Sequence, residues 1–339
     1  MKQFSIPMPA RYVINTVLII AFLVVGYFIT RGGLLSRAQN SLVIQIGFFI
    51  ILAVSLNLTT GYLGQLPLGH AGFMAVGAYA GALLWRDGGL PYDWMSIVVG
   101  LLLAGIVAAI FGVIIGVPAL RLKGDYLAII TLGFGEIIRV ILNNLDWLTN
   151  GARGLQGIPR HSSFLVVYIC VIVCCLFIHM LMKSRHGRAI LSIKDNEIAA
   201  ESCGINTTYY KVMTFAVSAF FAGVAGALYA GTVGILMPAQ FDFLMTFDIL
   251  MIVVLGGMGS MMGSVVAASV LTYAPFAMMF MARYRMVIFA FLLIIVMIFK
   301  PSGLLGAYDF SLNRILEKVI RFAKRKTAKT KPGGESGNA

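Results

Sequence analysis

Charged side chains are scarce in this chain, 12% against 60% hydrophobic residues, so the places where they gather carry information. One gathering is the stretch 183–211, which sets Lys183, Arg185, His186, Arg188, Lys194, Asp195, Glu197, Glu201 and Lys211 between two very apolar segments. Its pattern is that of a capped helix rather than of a catalytic constellation. Asp195 is a residue type that starts helices, and Glu197 and Glu201 lie one turn apart on a shared face. Ala199 and Ala200 form a small-residue patch beside them, and Gly204 supplies a stop. A short helix of this kind outside the membrane is a knob that another protein can grip. The acids suit basic groups on that protein, and the alanines suit a groove. Arg185 and Arg188 fit either contact with the partner or anchoring at lipid headgroups. The bland alternative for the whole stretch is a solvated connector.

A second set of polar residues interrupts apolar segments. Glu136 and Arg139 stand at i, i+3 in segment 126–142, where an ionisable group marks function by default because lipid makes it costly. The competing reading pairs the two, with Arg139 snorkelling toward an interface. Asn57, Gln65 and His70 surround a helix broken by Gly61, Gly64 and Pro67. They either line a pathway or satisfy the backbone groups that the break sets free. His70 has no acid partner in the sequence pattern, which is weak ground for proton coupling.

Enzymatic chemistry finds no support. Cys170, Cys174, Cys175 and His179 share segment 164–182, which has no carboxylate, and Cys203 lies in the 183–211 stretch. No Cys/His spacing forms a metal site, and no nucleophile has a base beside it. The phosphate-binding pattern G-x-x-x-x-G-K-[ST] is absent, so ATP hydrolysis is not expected in this chain.

These residues are positioned by an all-α polytopic membrane architecture. Segments 12–30, 42–59, 94–117, 164–182, 212–237 and 261–282 are long enough to cross unaided, and 71–85, 126–142, 247–257 and 286–299 are shorter or broken by glycine. About ten transmembrane helices are expected, or eight if 247–257 and 261–282 form one re-entrant unit. The first segment has no cleavage site after it and reads as a span. With both termini cytoplasmic, 18 of the 26 Lys and Arg residues fall inside and seven outside, with Arg139 within a span. The net charge of +13 is therefore a topology signal and not a nucleic-acid footprint. A transmembrane domain over 1–305, carrying the cytoplasmic loop 183–211, precedes a basic tail over 306–339 that suits anionic headgroups.

Segment 212–237 carries two ladders of small residues at four-residue spacing: Ser218, Ala222, Gly226, Ala230, Gly234 and, beside it, Ala219, Gly223, Ala227, Gly231. Such faces let helix backbones approach closely in lipid, so Gly223, Gly226, Gly231 and Gly234 are expected at helix contacts. Gly256, Ser260, Ser264 and Ala268 form a further face.

Three blocks together resemble the branched-chain amino acid ABC transporter permeases of the LivM type. The first is Ser55-Leu56-Asn57-Leu58 through Gly61-Tyr62-Leu63-Gly64-Gln65 to Gly69-His70-Ala71-Gly72-Phe73. The second runs from Arg121 through Gly124-Asp125-Tyr126 to Gly135-Glu136 and Arg139. The third is Gly187-Arg188 through Glu197-Ile198-Ala199-Ala200-Glu201 to Gly204-Ile205-Asn206. The likeness covers roughly 40–305. Pro67 and Cys203 depart from the family's usual residues without breaking the pattern. The resemblance implies a type II-like importer bundle in the inner membrane of a prokaryote, paired with a second homologous permease. It further implies two cytoplasmic ATPase subunits that bind ATP and Mg, and a periplasmic or tethered binding protein. Arg188, Asp195, Glu197, Ala199, Ala200, Glu201 and Gly204 then become the ATPase-coupling region, and Asn57, Gln65, His70 and Glu136 the pathway candidates. The implied substrates are leucine, isoleucine and valine, with urea or short-chain amides as the alternative within the same machine. An ion-coupled secondary transporter is the rival reading, and it leaves the 183–211 stretch without a use.

Overall fold

The computed structural model describes residues 36–88, 92–122 and 124–277, with parts of 21–32 and single positions between 287 and 303. Most of segment 12–30, most of 286–299 and the tail 306–339 lie outside the described residues. Each of the eight other expected segments carries a helix in its described residues. They are α1 (Arg37–Asn57), α2 (His70–Asp87), α3 (Asp93–Ala119), α4 (Asp125–Asn144), α6 (Phe164–Lys183), α9 (Thr207–Val233), α10 (Phe243–Gly256) and α11 (Met261–Ala277). Between them lie the one-turn α5 (Asp146–Thr149) and the two helices of the 183–211 stretch, α7 (Arg185–Asp195) and α8 (Glu197–Ser202). Among the described residues there is no strand, only an isolated bridge between Leu155 and Leu236. Among the described residues, five helical stretches are long and apolar enough to cross a membrane: Arg37–Tyr62, Asp93–Ala119, Phe164–Lys183, Thr207–Val233 and Pro238–Gly256.

Helix α9 is the hub, packing on α3, α2 and α1. Its small residues allow this. A Cβ at Gly77 of α2 would overlap the Gly223 backbone, and one at Gly226 would overlap the Met74 carbonyl. Gly231 packs against Ser162 and the Trp85 ring. Gly234 differs from the expectation: it is the C-cap of α9 in the left-handed region, φ 76°, with its nearest neighbours 3.8 Å or more from a built Cβ. It ends the helix and makes no helix contact. Outer faces of α3 and α6 expose Ile106, Ile114, Val173 and Met180, the apolar surface that a lipid-facing helix needs.

Helices α10 and α11 form a hairpin, with the Gly256 and Gly263 backbones in contact. Its turn at 257–260 contains Gly257 and Gly259, both at positive φ. Helix α10 begins at Phe243, four residues ahead of the expected segment, because Asp242 caps it by accepting from the Met245 N–H at 3.0 Å. Asp248 lies inside the helix and is half-buried.

The junction of the polar connection and the broken helix

The 183–211 stretch contains two helices where one was expected. Ser184 caps α7, its hydroxyl accepting from the N–H groups of His186 and Gly187. Helix α7 buries Gly187, Ala189, Ile190 and Ile193 and turns Arg185, Arg188 and Asp195 outward. Asp195 is its last residue and caps nothing, which corrects the sequence expectation. Asn196 breaks the chain with an extended backbone and caps α8, accepting from the Ala199 N–H at 3.1 Å. Gly204 stops α8 as expected, at φ 82°. Its N–H donates to the Glu201 carbonyl at 2.9 Å and that of Ile205 to the Ala200 carbonyl at 3.1 Å, the paired bonds of a Schellman stop.

Glu197 and Glu201 do not present a common outward face. Glu197 accepts from Lys211 Nζ at 2.6 Å, and the Lys211 side chain is only 5% exposed. Ala200 is buried with Leu63, Ile190 and Ile193 in a small apolar cluster of its own. The surface left on α8 is Ile198, 73% exposed, with Ala199, Glu201 and Ser202. Ile198 was not singled out in the sequence, because a lone isoleucine in a charged stretch gives no periodic signal.

Beneath this unit lies the end of α1. The helix loosens into a π-turn, Leu58–Tyr62, and the chain continues without regular structure to Gly69. Non-helical backbone at this depth needs partners within the protein. The Leu68 N–H donates to Thr131 Oγ1 of α4 at 2.9 Å, and the Ala71 N–H to Thr246 Oγ1 of α10 at 3.3 Å. Lys194 of α7 donates from Nζ to the Gly61 carbonyl at 2.6 Å. Asn57 ties this break to the α10–α11 turn. Its Nδ2 donates to the Ser260 carbonyl and to Ser264 Oγ, both at 3.0 Å, and its Oδ1 accepts from the Gly259 N–H at 2.8 Å. Ser260 and Ser264, read from sequence as packing residues, are therefore hydrogen-bonding partners across two breaks.

The four pathway candidates occupy different settings. Asn57 and His70 are fully buried and bonded inside the chain, His70 through Nε2 to Ser55 Oγ at 3.0 Å. Gln65 has a buried Oε1 without a hydrogen-bond partner. Glu136 pairs with Arg139 at 2.6 Å, each about one-third exposed on a helix whose neighbouring face is apolar. A separate cavity of about 320 Å³ lies between α1, α10 and α11. Its polar groups are Gln45, Asp248 and Thr272, and Phe49, Met251 and Leu271 are among its apolar walls. The Thr272 hydroxyl is buried there with no partner.

The family model for the branched-chain amino acid transport system / permease component matches residues 38–297, which include both breaks and the 183–211 stretch. The chain belongs to this family. The permease is 36% identical over 306 residues to the high-affinity branched-chain amino acid transport system permease protein LivM of Salmonella typhimurium, covering 80% of this chain and 71% of that one. It is 27% identical to the probable branched-chain amino acid transport permease protein LivM of Methanocaldococcus jannaschii, covering 78% and 92%. Against the permease protein LivH of Escherichia coli the identity is 25%, covering 76% and 91%. No solved structure gave a significant match. The permease is thus a multi-pass membrane protein of an amino-acid ABC transport family.

Proposed function

We propose that this permease is one half of the membrane channel of an ATP-driven, high-affinity importer of leucine, isoleucine and valine. In this reading about ten helices span the inner membrane of a prokaryote, both termini are cytoplasmic, and α7 and α8 lie on the cytoplasmic face. A second homologous permease completes the passage. Two ATPase subunits, which bind ATP and Mg, grip the exposed Ile198, Ala199 and Glu201, with Arg188 and Asp195 at the flank. A periplasmic or tethered binding protein delivers the substrate. ATP-driven closure of the ATPase pair moves α7–α8, and the bundle reorients between outward- and inward-facing states.

The observation that carries this reading is that α7–α8 is not a loose connector. It is fastened to the transmembrane bundle by the Lys211–Glu197 pair, the Lys194–Gly61 bond and a cluster that includes Leu63 of the broken segment. A solvated connector needs none of these. The Glu136–Arg139 pair, each about one-third exposed among apolar neighbours, suits a wetted passage beside the second permease better than lipid. The cavity between α1, α10 and α11, with aliphatic walls and few polar groups, supports an aliphatic zwitterion as the substrate class.

The test is uptake by the reconstituted complex of this permease, its partner permease, the ATPases and the binding protein. Radiolabelled leucine, urea and ribose are compared with and without ATP. ATP-dependent leucine uptake supports the reading. ATP-dependent urea uptake without leucine uptake keeps the machine and replaces the substrate.

A further inference from the structure

Lys194 is the point where three separately folded pieces meet. It lies near the end of the amphipathic α7, two residues before the break at Asn196, and its Nζ donates to the Gly61 carbonyl at 2.6 Å. Gly61 is in the π-turn, where i to i+4 bonding has been given up and carbonyls need other donors. On the far side of the π-turn, Asn57 binds Gly259, Ser260 and Ser264. A Cβ built at Gly61 would overlap both Asn57 Oδ1 and the Gly259 N–H, so the π-turn and the α10–α11 turn are in backbone contact. The lysine stem packs along the broken segment as well: a Cβ built on Gly64 would sit 3.1 Å from Lys194 Cγ and 3.7 Å from its Cβ. Beside it, Ile190, Ile193 and Ala200 enclose Leu63.

We infer that Lys194 is a positioning residue that fastens α7 to the two broken elements, so that the cytoplasmic helices, the π-turn and the α10–α11 turn move as one body. This deepens the proposed function and rests on it. The charge matters as well as the length. An ammonium donor to a carbonyl is stronger than a neutral donor. Without it the Gly61 carbonyl is left unfilled, and a push on α8 is absorbed at the α7 contact instead of reaching the membrane helices.

The experiment measures ATP hydrolysis and leucine uptake together in the reconstituted complex for wild type, Lys194→Met and Lys194→Arg. The expected result for Lys194→Met is a fall in leucine moved per ATP hydrolysed of about tenfold, with hydrolysis itself retained and Lys194→Arg recovering most of the ratio. A purely structural role would lower uptake and hydrolysis together and leave the ratio unchanged. That outcome overturns the inference, as does a wild-type ratio in Lys194→Met. A second variant, Lys194→Cys with Gly64→Cys, has a Cβ separation suited to a disulfide. The reduced double variant lacks the ammonium and should show the low ratio of Lys194→Met, whereas oxidation refastens α7 to the broken segment and should raise leucine moved per ATP; an oxidised form that transports less than its reduced form overturns the inference. Absence of ATP-dependent uptake in the wild-type complex would instead reject the proposed function, so the two failures are distinct.

Discussion

Lys211, at the base of the hub helix α9, donates to the Glu197 carboxylate of α8 at 2.6 Å while its own side chain is 5% exposed. A lysine so enclosed needs its counter-charge, and Glu197 is thereby engaged within the chain rather than offered to a partner. Glu197→Gln is expected to destabilise the protein by about 2 kcal/mol, the partial exposure of Glu197 softening the cost of a buried unpaired charge. Glu197→Gln combined with Lys211→Met should recover more than half of that loss. Thermal unfolding in detergent of the two single variants and the pair checks this, and additive losses would show that the two side chains are not coupled.

Asn57 completes three hydrogen bonds across two helix breaks. Asn57→Leu keeps the volume but leaves the Gly259 N–H without its acceptor, while the Ser260 carbonyl retains the Ser264 N–H at 3.1 Å, and is expected to cost about 2 kcal/mol. The same thermal assay reads it; a loss under about 1 kcal/mol would mean that solvent or a rearranged turn satisfies that N–H.

The small residues of α9 separate into two kinds. Gly223→Val forces a branched side chain against Ala104 and Ala108 of α3 and should cost well over about 2 kcal/mol. Gly234→Ala meets only ordinary contacts, at 3.8 Å and beyond, and suffers its left-handed backbone, about 1 kcal/mol. Melting temperatures that rank the two the other way would contradict the packing described for α9.

Much of this was legible in the sequence. Eight of the eleven helices within the described residues fall on the expected apolar segments, and the stop at Gly204 follows from a glycine after a capped run. The errors have a common origin in single residues. Asn196 and Asp195 are both capping types, and only backbone geometry decides that Asn196 breaks the helix. Gly234 continues the four-residue ladder in sequence but sits one turn past the last close contact. The partners of Glu197, Asn57 and Lys194 come from positions as much as 207 residues away, which no local pattern encodes. For the site this matters most: sequence put both glutamates on one exposed face, whereas the fold pairs Glu197 with Lys211 and exposes Glu201 and Ile198.

Glu136 and Arg139 are each about one-third exposed, so their attraction contributes little to folding. Glu136→Gln is expected to change stability by less than about 1 kcal/mol and to lower leucine uptake severalfold by altering the proposed passage. Unchanged uptake at unchanged stability would remove Glu136 from the pathway.

The most direct test of the central claim is ATP-driven leucine uptake by the reconstituted complex carrying Glu201→Lys and Ile198→Ser, two surface changes on α8 that leave the Lys211–Glu197 pair intact. The account predicts wild-type melting behaviour, a folded permease, and ATP-dependent uptake reduced by more than about tenfold. Full uptake by that variant, or leucine transport by this permease alone with no dependence on ATP, would contradict it.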